Sequence, residues 1–227
     1  MSRQKRTKLA DRVLPIYTKG EEIFNMVSHI VGAVMGIAMI VLGIVFSAIR
    51  NNPYGIASSI VFGVTLILLY TMSSIYHGLK PELMAKKVFQ IIDHCSIFLL
   101  IAGSYTPFCL CTLREYNPAL GWAIFGIIWA MAAVGVTFNS IDLKKYKIFS
   151  MICYLVMGWL IIIRGNVIVE ALGTIGFGLV LGGGIIYTIG ALLYGLGKKH
   201  KWMHSIFHLC CVLGSAAHIV CVLIYVV

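Results

Sequence analysis

Acidic residues are scarce in this chain: eight Asp and Glu against eighteen Lys and Arg in 227 residues, with charged side chains of both signs making up only 11%. A soluble domain carries about 25%, so an ordinary soluble domain is excluded. Polar tracts long enough for a soluble insert are also missing. The first twenty residues, MSRQKRTKLADRVLPIYTKG, are basic but have neither the apolar core nor the small-residue cleavage site of a secretory signal. They read as a retained cytoplasmic arm. Strict alternation over segments of about ten residues, the mark of a membrane β-barrel, is absent too.

Long apolar runs take the place of these features. Hydrophobic residues make up 60% of the chain. Seven windows free of Lys, Arg and Glu fall at 23–49, 54–79, 90–112, 117–139, 148–163, 171–195 and 203–227, the fifth being the shortest. A spanning helix needs roughly 20 apolar residues, and in lipid only helices or closed barrels satisfy their own backbone groups. The sequence therefore predicts an all-α fold: an arm over residues 1–20 and a seven-helix transmembrane bundle over 21–227.

The basic residues orient that bundle. Arg3, Lys5, Arg6, Lys8, Arg12 and Lys19 precede the first window. Lys80, Lys86 and Lys87 follow the second, Lys144, Lys145 and Lys147 the fourth, and Lys198, Lys199 and Lys201 the sixth. Only Arg50, Arg114 and Arg164 fall in the alternate links. Cytoplasmic loops carry the Lys/Arg excess, which predicts a cytoplasmic N-terminus and an extracytoplasmic C-terminus. It also explains a formal net charge of +10 without nucleic acid as a partner.

Local signals mark the ends of the runs. Thr18-Lys-Gly-Glu21 fits a capping box, with Glu21 and Glu22 in the first turn. Asn51-Asn52-Pro53, Pro81, Asn117-Pro118 and the link Asn166 to Glu170 read as turns. Pro107 predicts a kink near the end of the third helix. The sixth helix is rich in glycine, which lets membrane helices approach closely. The seven cysteines sit almost wholly within the runs and read as small apolar packers.

An ionisable residue inside a span is costly and points to function. His77 ends the second run, with Ser73 one turn earlier on the same face. Asp93 begins the third. His204 and His208 begin the seventh, and Glu22, Asn25 and His29 form one stripe at the start of the first. All belong to the same membrane edge, so helices remote in sequence deliver polar groups to one layer. Three histidines match the ligand count of a catalytic zinc site, which keeps its fourth position open. An i, i+4 histidine pair is a known two-ligand clip. His94, His200 and His218 read as structural.

The order E-x-x-N-x-x-S-H (Glu22 to His29), S-x-x-x-H (Ser73 to His77), F-x-x-x-D (Phe89 to Asp93) and H-x-x-x-H (His204 to His208) resembles the hemolysin III family, as does the stretch FQIIDHCSIFLLIAGSYTPF. That bacterial branch belongs with the progestin and adiponectin Q receptors and, more distantly, the alkaline ceramidases. The resemblance implies a multi-pass protein of the bacterial plasma membrane. It implies Zn2+ held by His77, His204 and His208, with Ser73 and Asp93 beside it, and hydrolysis of a lipid amide or ester. The sequence reads as lacking the long N-terminal domain of the animal receptors, which argues against a hormone-receptor role. A membrane lipid is then the substrate or ligand. Two other readings remain open: a non-enzymatic sensor of bilayer state with a structural zinc and a fourth ligand such as Asp93 or Cys210, and a cytolysin, against which stands the lack of a continuous polar path through the spans.

Overall fold

A computed structural model describes residues 6–197 and 200–227. Arg3, Lys5, Lys198 and Lys199, used above to orient the chain, lie outside the described residues. The described chain is helical throughout, with no strand: α1 (Lys19–Ile49), α2 (Pro53–Gly78), α3 (Met84–Pro107), α4 (Pro118–Asp142), α5 (Lys147–Trp159), α6 (Gly165–Leu196) and α7 (Met203–Cys221).

The start of each helix follows its sequence. Thr18 and Glu21 close the predicted capping box: the Glu21 N–H donates to Thr18 Oγ1 at 3.3 Å, and the Thr18 N–H donates to Glu21 Oε2 at 2.9 Å. Asn52 and Asn117 accept the N–H of Gly55 and Leu120, each followed by proline at the first helical position, where no N–H is needed. Pro107 cannot supply the N–H that continues an α-helix. Directly after it, α3 widens into π-type turns over Phe108–Leu113 and ends at Arg114–Tyr116.

Among the described residues, six helical runs are long and apolar enough to cross a membrane. The windows at 148–163 and 171–195 fall within one run, Lys147–Leu196, of 50 residues. It is not straight. Leu160–Arg164 tightens to 3-10 geometry, and Gly173 turns the chain at φ 68°, ψ 177°, a conformation that needs glycine. The expected link at Asn166 to Glu170 is instead helical, because Val167, Ile168 and Leu172 seat in the core. The turn is displaced to the glycine just beyond them.

Small residues set the helix spacing. A Cβ on Gly43 would come within 2.3 Å of Ser59, and one on Gly63 within 2.2 Å of Ile40, so α1 and α2 lie backbone to backbone. Along α6 and into its C-cap, Gly176, Gly183, Gly190 and Gly197 recur every seventh residue. They receive Tyr225, in the π-type turns that continue α7 over Val222–Val226, and His218, Cys210 and His204 respectively. Gly178, Gly182 and Gly195 have nothing within 4 Å, so close packing is the work of one stripe only. All seven cysteines are free thiols.

Candidate metal centre

The first turns of α1, α3 and α7 and the last turn of α2 meet at one end of the bundle. The stripe on α1 is buried there: Asn25 and His29 are 0% and 3% exposed, in line with their i, i+4 spacing. His77, His204 and His208 are buried beside them, and their ligating nitrogens lie within 4.8 Å of one another. The sequence had joined these three from opposite ends of the chain, and the fold brings them together.

The second nitrogen of each ring explains the arrangement. His77 Nδ1 stands 2.6 Å from Glu22 Oε2. A carboxylate accepts, so Nδ1 carries the proton and Nε2 keeps its lone pair. That Nε2 is buried with no hydrogen-bond partner. His208 Nδ1 lies 2.7 Å from Nε2 of His29, and its own Nε2 faces Nε2 of His204 at 2.9 Å. Two Nε2 atoms at that distance without a metal must share one proton. Three nitrogens around a tetrahedral zinc, each at about 2.0–2.1 Å, stand roughly 3.4 Å apart. The cluster brackets that value, and the carboxylate–histidine pairing is the usual outer support of a metal site. The residues present fit a metal ion.

Glu22, Asn25 and His29 thus have definite places behind the cluster. Glu22 bridges two groups, since Lys86 Nζ donates to its Oε1 at 2.7 Å and to the Leu79 carbonyl at 2.9 Å. Lys86 is 1% exposed. The sequence places it among the loop cations; the fold buries it against α1. Asn25 Nδ2 stands 3.4 Å from His77 Nδ1.

Tyr17 was also missed. Its ring stacks on His204 at 4.7 Å between centroids and 17° between planes. Burial pushes its phenol well above the ordinary value, so it stays neutral. The arm that carries Tyr17 is tied down along its length. The Thr7 N–H donates to Asp142 at 2.8 Å, Arg12 donates to Gln90 at 2.9 Å, and Lys87 donates to the Ala10 carbonyl at 2.5 Å. A basic, polar arm carries no periodic signal that would have revealed this.

Beside the histidines opens a cavity of about 170 Å³. Ser73 and Asp93 line it together with His204 and His208, while His77 lies behind. Ser73 Oγ is buried and makes no close hydrogen bond, the nearest group able to take its proton being the Asp93 carboxylate. Asp93 Oδ2 lies 3.4 Å from Nδ1 of its neighbour His94, whose ring is otherwise held by the Gln90 carbonyl and Tyr194. Farther along, the walls are apolar: Leu69, Ile97, Leu100, Ile101, Leu155 and Phe207.

The fold and site define a class: helical membrane bundles with three buried histidines, able to hold a metal ion, at one end of an apolar cavity. Within that class the chain belongs to the haemolysin-III related family, which matches residues 17–219. It is 40% identical over 207 residues to "Hemolysin-3" of Bacillus cereus, covering 91% of this chain and 92% of that one. It is 38% identical over 212 residues to "Hemolysin-3 homolog" of Bacillus subtilis (strain 168), covering 93% and 97%. Similarity reaches the "Adiponectin receptor protein" of Drosophila melanogaster at 23% over 225 residues, 89% of this chain and 50% of that one. With its apolar helices, this membership makes it a multi-pass protein of the cell membrane.

Proposed function

We propose that this protein is a zinc-dependent intramembrane hydrolase acting on a lipid amide or ester. The observation that carries the reading is the orphaned Nε2 of His77, grouped with the histidines of α7 beside a cavity that Ser73 and Asp93 line. In this reading His77, His204 and His208 hold zinc. The ion, when bound, would supply a Lewis acid that acidifies water and polarises a carbonyl. Asp93 moves the proton between water and the leaving group. Ser73 Oγ donates to the oxygen on which charge develops. Glu22 keeps His77 in the tautomer that ligates, and His29 does the same for His208. The apolar wall takes the acyl tail and excludes water. A structural zinc would call for a fourth protein ligand; among the described residues the group comprises the three histidines, which favours an open fourth position.

The proposed topology is seven crossings with the N-terminus inside, the 50-residue run crossing twice through its break at Gly173. Reporter fusions at Asn166 and at the C-terminus are expected on the outer side.

Metal analysis and lipid hydrolysis on one purified sample test the function. Near one zinc per chain is expected, lost in the His204→Ala/His208→Ala double variant, with fatty acid released from a ceramide or phospholipid by the zinc-loaded protein. Unchanged metal in the variant sinks the site. Zinc without release from any lipid sinks the hydrolase reading and leaves the metal centre.

A further inference from the structure

Ten residues beyond His208 on α7, a rise of about 15 Å, stands His218. Its ring is fitted against α6, where a Cβ on Gly183 would come within 2.5 Å of Cδ2 and Nε2. Nε2 lies 3.1 Å from the Val180 carbonyl. A carbonyl only accepts, so Nε2 carries the proton, and in neutral imidazole Nδ1 is then an acceptor. That Nδ1 is buried with no partner.

The ring borders both the main cavity and a smaller one of about 30 Å³, and the two have Ser104, Tyr105, Gly158, Trp159 and Gly184 as common walls. The other polar side chains in this part of the cavity are engaged. Ser104 donates to the Ile101 carbonyl at 2.9 Å. Tyr105 donates to the Gly158 carbonyl and accepts the Ile161 N–H. Thr188 donates to the Gly184 carbonyl and accepts from Trp159. Tyr187 and Ser215 bond each other at 2.7 Å. His218 thus lines an apolar space with its Nδ1 unpaired, while the neighbouring polar groups are satisfied.

We propose that His218 forms a polar subsite that accepts a hydrogen bond from a hydroxyl carried partway along the lipid tail in this cavity. The inference rests on the acyl reading of the cavity given above. An acceptor selects an O–H over a methylene, and a tail lacking the hydroxyl leaves Nδ1 buried and unpaired, which is the stronger source of discrimination.

Ricinoleate, which carries one hydroxyl on its tail, and oleate, its counterpart without it, are the probes. Each is titrated against a fluorescent fatty acid bound to the zinc-loaded protein in lipid nanodiscs. Wild type is expected to bind ricinoleate about tenfold more tightly. His218→Phe is expected to equalise the two, and His218→Gln, which keeps an acceptor, to retain part of the preference. Equal affinities in wild type overturn this inference alone, whatever the variants do. A preference that survives in His218→Phe overturns it as well. If neither probe binds wild type, the acyl reading falls and takes this inference with it.

Discussion

Glu22 holds His77 from behind: its Oε2 lies 2.6 Å from Nδ1, while its Oε1 receives the ammonium of Lys86 at 2.7 Å. One carboxylate therefore fixes a ring tautomer on α2 and neutralises a buried cation on α3.

Removing that carboxylate weakens the metal centre without deleting a ligand. Glu22→Gln is expected to lower zinc affinity about 10–100-fold, the usual effect of losing an outer-shell partner. Competition with a chelator of known affinity measures it. His77→Ala in the same assay is expected to lose the metal outright, and equal affinities for Glu22→Gln and wild type would remove Glu22 from the site.

Lys86 tests the same bridge from the other side. Lys86→Met leaves Glu22 facing His77 alone, with its charge uncompensated where both are largely buried. Thermal stability in detergent is expected to fall, the loss being about 3–5 kcal/mol for a fully buried pair and less here because Glu22 is 18% exposed. The Glu22→Gln/Lys86→Met double variant is expected to recover part of that loss.

Adjacent glycines on α6 separate packing from flexibility. Gly183→Ala places a Cβ 2.5 Å from the His218 ring, whereas Gly182→Ala meets nothing within 4 Å. The first is expected to cost about 1–3 kcal/mol and the second to leave the melting temperature unchanged or raise it. Matching losses would mean that α6 uses both glycines for backbone freedom instead.

Tyr17 covers His204. Tyr17→Ala is expected to speed zinc removal by a water-soluble chelator several-fold while leaving equilibrium affinity within about twofold, since no ligand changes. Stopped-flow release kinetics beside equilibrium titration distinguish the two. An unchanged release rate would show that the arm does not guard the ion.

Much of the centre was legible before the fold. The i, i+4 pair in α7, the histidine ending α2 and the stripe on α1 all lie at the edge that the lysines mark, and short-range periodicity carries that information. What stayed hidden depends on how helices rotate against one another. Nothing local tells Lys86, which follows a loop, that it will be buried against α1, or tells Glu22 which histidine it will face. The break at Gly173 was hidden for a related reason. Many glycines punctuate α6, and only the seating of Val167, Ile168 and Leu172 selects the one that turns.

The recurrence of Gly176, Gly183, Gly190 and Gly197 makes α6 a graduated rail for α7. Residue numbers across the seam sum to nearly a constant, Gly197 with His204, Gly183 with His218, Gly176 with Tyr225. Sliding α7 by one residue, about 1.5 Å, would lift every one of these side chains off its notch together. His204, His208 and His218, all on α7, are therefore held in one register against α6, and the span between them is a gauge cut into the helix pair rather than a property of the loops at either end.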